Sequence, residues 1–289
     1  TGGHLQAIDY KMPVASAQVK TSVMLAGLFA AGETRVQEPL RTRDHGELAL
    51  RAFGAEVQQE GNQWQIRGGQ KLRAIEATIP GTDGVHGVAL VPKLGRGYTS
   101  NGRADTLTEF DLATSRVLRT IAVEGHNPDA LIYDPASAHL FAFDGRSNEA
   151  SVVDPVAGKL VSKIALSGKP EFAASDGAGN VYVNIEDTAQ LARIDSATNK
   201  VTAVWKLADC EEPSGLALDI AHHRLFSVCQ NKRMAVTDAQ SGKPVASVAI
   251  GEGPDAAGFD AERGLIYSTN GHDGTLTISD VVTRSGAMR

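Results

Sequence analysis

In the first 81 residues, two helix-length apolar patterns, each opened by a capping residue, alternate with strand-like runs. From residue 84 onward only strand-like runs remain, and they recur five times with a period of about 42 residues. Together these observations predict a mixed fold. A small α/β unit of βαβαββ order over 1–81 is followed, over 82–289, by an all-β propeller of about five four-stranded blades, incomplete at its end.

In chain order, "GGHLQAIDY" reads as a strand and "PVASAQVKTSVMLAGLFAAGET" as a helix. Ser16 is the expected N-cap, since its hydroxyl can accept from a first-turn amide. Val19, Val23, Met24, Ala26 and Leu28 then cover most of the helix, which predicts burial, with Gly32 as the stop. "TRVQEP" is a short strand. "RDHGELALRAFGA" is a second helix, with Asp44 as N-cap and Glu47 at capping-box spacing. Its expected apolar stripe is Leu48, Ala52 and Phe53, and Gly54 ends it. "AEVQQEGNQWQIRGG" reads as a hairpin turning at Gly61-Asn62, and "RAIEATIP" as a last strand.

Composition narrows the function. Lysine and arginine total 28, scattered within a net charge of -6, so no basic stripe is available to neutralise a phosphate backbone and nucleic acid is not an expected partner. The longest apolar stretch, "SVMLAGLFAAG", is too short to span a bilayer. No CxxC or Cys/His cluster suggests a metal, and no cofactor motif is present. The chain begins at Thr1 without a charged-then-apolar leader, which reads as a removed leader or a fragment.

The start of the first helix has a physical use. Free amides and the positive end of the helix dipole favour an anion there, Ser16 and Gln18 add donors, and Arg43 can supply the counter-charge. The stretches "YKMPVASAQVKTSVMLAGLFAAGET", "EPLRTRDHGELALRAFGA" and "IPG" resemble 5-enolpyruvylshikimate-3-phosphate (EPSP) synthases, the 3-phosphoshikimate 1-carboxyvinyltransferases of the shikimate pathway of aromatic amino-acid biosynthesis. The resemblance runs from about Thr1 to Gly81. It implies that Ser16, Ala17, Gln18 and Arg43 contact shikimate 3-phosphate. It places Thr where this chain has Gly46, a change expected to loosen the second helix. It also places the family's catalytic residues, and those that grip phosphoenolpyruvate, in units with no counterpart here. No catalytic residue is therefore assigned, and the chain alone is expected to bind the phosphate weakly and to be inactive as a transferase.

The strand-only region aligns on itself. Pro128, Pro170, Pro213 and Pro254 mark equivalent positions, as do Asp111, Asp154, Asp195, Asp238 and Asp280, and the aromatics Tyr98, Phe141, Tyr182, Phe226 and Tyr267. Four short strands fit each repeat; in the first they are "GVALVP", "RGYTSNG", "TLTEFDL" and "RVLRTIAV". "GTDGVHGVAL", "SNGRADTLTEFDL" and "CEEPSGLALD" resemble YVTN-repeat, YncE-like propellers, which implies an exported binding or scaffold protein of unassigned ligand or protein partner.

The residues after the marker positions, His86, Asp129, Glu171, Ser214 and Asp255, are expected around a central channel, where His86, Asp129, Glu171 and Asp255 can hold a cationic ligand. Cys210 and Cys229 fall within one repeat and read either as two buried thiols or as a disulfide, which would require an oxidising compartment. The two resemblances pull in different directions, cytoplasmic for the first and periplasmic or exported for the second. Residues 81–84 then read as a seam between two truncated parts, as in a chimeric gene product.

Overall fold

The computed structural model describes residues 5–73 and 78–280, in two compact units, Thr1–Ala77 and Thr78–Arg289. The first unit runs β1 (Asp9–Lys11), α1 (Ala17–Gly27), β2 (Glu33–Gln37), α2 (His45–Ala52), β3 (Val57–Glu60) and β4 (Gln63–Arg67). The sheet order is β1-β2-β4-β3, with β1 parallel to β2 and the other pairs antiparallel. The hairpin turns at Gly61-Asn62, where Gly61 has φ +56. The last expected strand, "RAIEATIP", covers 73–80, of which 74–77 lie outside the described residues.

One face of this sheet carries the core. Val36 on β2 and Trp64 and Ile66 on β4 are buried and pack with Met24 and Leu28 from α1 and with Leu50 from α2. Because a sheet offers a helix only one face, α1 can bury only one stripe. That stripe is Lys20, Met24 and Gly27, continuing into Leu28. Two expectations are corrected accordingly. α1 is not covered all round: Ala26 is exposed, and Leu25 and Phe29 face outward beside it. In α2, Leu48, Ala52 and Phe53 are exposed, while Leu50 and Glu47 point in.

The expected caps divide in the same way. Ser16 Oγ accepts from the Val19 N–H at 3.4 Å. Asp44 makes no side-chain cap bond, and the Glu47 side chain, which would return to the Asp44 amide in a capping box, is turned inward toward Lys20. α1 also ends at Gly27 rather than at Gly32, where the helix lies too close to the sheet for a side chain. A Cβ on Gly27 would lie 2.8 Å from Ile66 Cγ2.

The second unit is mostly strand, laid out as five consecutive antiparallel meander sheets. Sheet 1 comprises Val85–Val91, Arg96–Asn101, Thr106–Asp111 and Val117–Ala122. Sheet 2 comprises Pro128–Asp134, His139–Asp144, Glu149–Asp154 and Lys159–Ala165. Sheet 3 comprises Pro170–Ser175, Asn180–Ile185, Gln190–Asp195 and Lys200–Lys206. Sheet 4 comprises Pro213–Asp219, Arg224–Cys229, Arg233–Asp238 and Pro244–Ala249. Sheet 5 has three strands among the described residues: Pro254–Asp260, Leu265–Asn270 and Thr275–Asp280. The first strands of consecutive sheets are neighbours, and apolar clusters fill the spaces between the sheets.

The recurring residues explain the regularity. Asp111, Asp154, Asp195 and Asp238 end the third strands, and their carboxylates accept from backbone amides two or three residues on, closing the turn to the fourth strand. Hydrogen bonds from the Thr114 and Ser241 hydroxyls at Asp111 and Asp238, and from the turn amides at all four, hold these carboxyls below their ordinary range. The recurring aromatics are buried in the second strands of sheets 1 to 4. The two tyrosines among them each donate their hydroxyl to a carbonyl of the next sheet: Tyr98 to Pro155 at 3.1 Å and Tyr182 to Ala239 at 3.2 Å. Burial, then the nearby Glu109 carboxylate, pushes Tyr98 up to about 12.

Cys210 and Cys229 are bonded to each other. Their place follows from the repeat. In sheets 2 and 5 a glycine of the connecting loop lies against the last side chain of the second strand: a Cβ on Gly125 would meet Asp144 Oδ2 at 2.1 Å, and one on Gly251 would meet Asn270 Nδ2 at 2.7 Å. In sheet 4 the same two positions hold Cys210 and Cys229, so a covalent bond replaces a packing contact. The bond closes a loop with a sequence separation of 19. Replacing both cysteines by alanine is expected to cost this unit about 3 kcal/mol, measured by urea unfolding. Two alkylatable thiols in the unreduced wild type would contradict the pairing.

Candidate anion-binding site

A cleft of about 430 Å³ in the first unit opens at the N-terminus of α1 and is lined by Ala17, Gln18, Thr21, Ser22, Arg43 and Gly46. Ala17 and Gln18 lie in the first turn of α1, whose amides have no intrahelical acceptors. No acidic residue in that turn offsets the positive end of the helix. Arg43 comes from the segment before α2. Among the described residues its guanidinium makes no hydrogen bond or ion pair, and it is the one ionisable side chain lining the cleft. The structure thus brings three of the four sequence-derived residues together. Ser16 is occupied as the helix cap and is not among the lining residues.

Sequence reading missed four contributors. Thr21 and Ser22 stand one helical turn beyond Ala17 and Gln18, so helical periodicity was the available signal. Gly46 was expected to loosen α2. In the structure it admits close packing instead, since a Cβ there would sit 2.3 Å from Thr21 Oγ1 and 2.5 Å from its Cγ2. The fourth is Lys20, fully buried below the cleft. Its Nζ lies 3.0 Å from Glu38 Oε1 and 3.3 Å from Glu47 Oε2, and donates to the Arg43 carbonyl at 3.0 Å. It also sits 4.7 Å from the centroid of the Trp64 ring. Glu38 in turn accepts from the Trp64 indole at 2.6 Å and from the Thr42 amide at 2.9 Å. Burial alone would raise the Glu38 carboxyl, but hydrogen bonds from Thr42, Lys20 and Trp64 outweigh it and hold the group below its ordinary value. The network ties α1, the end of β2 and the start of α2 together, which fixes the backbone that carries Arg43. Nothing in local sequence pattern marks a lysine as buried.

The arrangement offers helix amides, amide and hydroxyl donors and one unengaged guanidinium to a single anion. These are the parts of a phosphate or carboxylate cradle. Among the described lining residues there is no carboxylate or imidazole to move a proton.

Residues 1–84 match the family model of EPSP synthase (3-phosphoshikimate 1-carboxyvinyltransferase). The 3-phosphoshikimate 1-carboxyvinyltransferase of Koribacter versatilis is 62% identical over 80 residues, which are 28% of this chain and 19% of that protein. The same enzyme of Shouchella clausii is 55% identical over 80 residues and that of Gloeobacter violaceus 56%, covering 19% and 18% of those proteins. The chain therefore spans about a fifth of the length of the curated relatives it matches. Shikimate 3-phosphate is the substrate of the matched family, and Ala17, Gln18 and Arg43 of the cleft fall within the EPSP-synthase match. A solved structure, Kuenenia stuttgartiensis hydrazine synthase, superposes with a TM-score of 0.48 at 14% identity, covering 70% of this chain and 84% of that one.

In the second unit, the residues expected at a channel are partly brought together. His86 Nδ1 lies 3.7 Å from Asp129 Oδ1, and Lys169 Nζ lies 3.4 Å from Glu171 Oε2. Burial pushes both the Asp129 and Glu171 carboxyls up. His86 and Lys169 oppose this at Asp129, where Glu186 and Asp255 reinforce it. Lys169 and Glu186 were not foreseen. Ser214 is buried, its hydroxyl donating to the Pro254 carbonyl at 3.0 Å. Among the described residues, no group of three or more His, Cys, Asp or Glu side chains is arranged to hold a metal, and no helix is long and apolar enough to cross a membrane.

Proposed function

We propose that the first unit is an EPSP-synthase-type anion-binding unit whose ligand is shikimate 3-phosphate. In this reading the phosphate is held by the α1 amides at Ala17 and Gln18, by the Gln18 amide group and by Arg43. Thr21 and Ser22 take polar groups of the ring, and Ser16 sets the amides through its cap. The observation that carries the reading is the convergence of Ala17, Gln18 and the unengaged Arg43 on one cleft. Enolpyruvyl transfer needs a second anion aligned and a proton moved, and the cleft lining supplies neither. The chain of Thr1–Arg289 is therefore read as a binder that does not turn over. Residues 82–289 are read as a five-bladed propeller of the YVTN-repeat type, a binding or scaffold module. Its support is the succession of five meander sheets with neighbouring first strands. A cationic ligand facing His86, Asp129, Glu171 and Asp255 fits the crowding of carboxyls there, and the disulfide fits an oxidising compartment.

Calorimetric titration with shikimate 3-phosphate tests the first part. Binding is expected, weaker by about tenfold or more in Arg43→Ala, the size of one lost charged hydrogen-bonding partner. Equal affinity in wild type and variant would remove Arg43 from the site.

A further inference from the structure

Residues 38–43, Glu38 to Arg43, join β2 to α2 without a helix or strand residue among them. Leu40 is 70% exposed, and among the described residues 39–43 form no backbone–backbone hydrogen bond. Such a segment has nothing of its own to fix where Arg43 points. It is fixed from below. The Glu38 carboxylate accepts from both the amide and the hydroxyl of Thr42, the amide at 2.9 Å, which closes the segment on itself. Lys20 Nζ donates to the carbonyl of the next residue, Arg43, at 3.0 Å. Lys20 and Glu38 are bonded to each other at 3.0 Å with fully buried side chains, and Trp64 on β4 donates to the same carboxylate at 2.6 Å.

A buried ion cluster is weak support for a fold, because apolar side chains of similar volume pack as well or better in its place. What apolar side chains cannot do is accept from the Thr42 amide and donate to the Arg43 carbonyl. Those bonds fall on Arg43 and on the residue before it, and Arg43 carries the one ionisable side chain of the cleft lining. An arginine on an unanchored segment has to be ordered as a ligand binds, and that cost is deducted from affinity. One already held in place does not incur it.

On the reading of the cleft as a shikimate 3-phosphate site, on which this rests, we propose that Lys20 and Glu38 are its positioning residues. They hold Thr42 and Arg43 from inside the core, so that the guanidinium stands at the cleft before the ligand arrives. Neither touches the ligand, since both side chains are fully buried below the lining. Their effect on affinity therefore passes through Arg43.

Calorimetric titration of the full chain with shikimate 3-phosphate tests this in wild type, Lys20→Met, Arg43→Ala and the double variant. Lys20→Met is expected to weaken binding about tenfold where Arg43 is present, the cost of ordering about one residue as the ligand binds. In the Arg43→Ala background it should have little further effect. A cluster that serves the fold alone would lower the binding stoichiometry alike in both backgrounds and leave the affinity of the folded fraction unchanged. Thr42→Val removes only a hydroxyl, from a half-buried residue outside the cleft lining, and is expected to weaken binding in the same direction. It reads the same role if Lys20→Met does not fold. A wild type that does not bind would overturn the ligand reading and the positioning role with it. Wild-type binding that Lys20→Met and Thr42→Val leave unchanged, or that Lys20→Met weakens equally with and without Arg43, would overturn the positioning role and leave the ligand reading standing.

Discussion

Lys20→Met is expected to destabilise the first unit by about 3–5 kcal/mol, the cost of removing one partner from a buried ion cluster. Lys20, Glu38 and Glu47 all have fully buried side chains. Without the ammonium, two carboxylates remain in a site that excludes water. Glu38 keeps the Trp64 and Thr42 donors, but neither carboxylate oxygen of Glu47 has a hydrogen-bond partner. The larger share of the loss should therefore trace to Glu47, and Glu47→Gln in the Lys20→Met background should recover part of it. Trp64 is the tryptophan of this unit and is fully buried, so its fluorescence during urea unfolding, in a Trp205→Phe background, reports the transition. A loss below about 1 kcal/mol, the range of an exposed ion pair, would mean that water reaches the cluster.

Asp144→Asn is expected to act in the opposite direction and to stabilise the second unit at neutral and alkaline pH. Asp144 is fully buried at the end of the second strand of sheet 2. Its Oδ2 accepts from Ser151 Oγ at 2.7 Å, and its Oδ1 has no partner. Burial pushes the carboxyl from 3.8 up to about 7; the Ser151 hydrogen bond opposes this, as does the Lys163 charge, while Glu149 and Asp105 reinforce it. Lys163 is itself paired with Glu149 at 3.0 Å. A carboxyl whose folded value is raised costs stability as pH climbs from the unfolded value to the folded one. The wild type should therefore lose stability between about pH 4 and pH 7, by on the order of 4 kcal/mol, and then level off. The asparagine variant should lack that loss. Sheets 1 and 5 already carry asparagine here: Asn101 donates to Thr106 and Thr108 at 3.1 and 2.8 Å, and Asn270 to Thr275 and Thr277 at 3.0 and 2.9 Å. Urea unfolding across this pH range decides it. A variant less stable than wild type above pH 7 would contradict the assignment.

What the sequence disclosed and what it withheld differ in kind. Features set by backbone chemistry were legible, such as the Ser16 cap, the turn at Gly61-Asn62 and the strand order within each repeat. Features set by which face meets a neighbour were not. Leu48, Ala52 and Phe53 formed a good helical stripe, yet the sheet took the side of α2 that bears Glu47 and Leu50. At the cleft, Ala17, Gln18 and Arg43 were legible through the resemblance and the helix start. Thr21, Ser22 and Gly46 enter through the approach of α1 to α2, and Lys20 through a charge cluster whose members are far apart in sequence. The Cys210–Cys229 bond stood as one of two readings because spacing alone does not bring two thiols into contact; the match of their positions to Gly125 and Asp144 becomes visible only with the sheets aligned in space.

The central claim is that the start of α1 and Arg43 form one phosphate-bearing ligand site. Backbone amide shifts during titration with shikimate 3-phosphate test it most directly. Saturable shifts confined to Ala17, Gln18, Thr21, Ser22 and Arg43, and lost in Arg43→Ala, are the predicted result. A titration that leaves those amides unmoved, or that moves them equally in the Arg43→Ala variant, would contradict it.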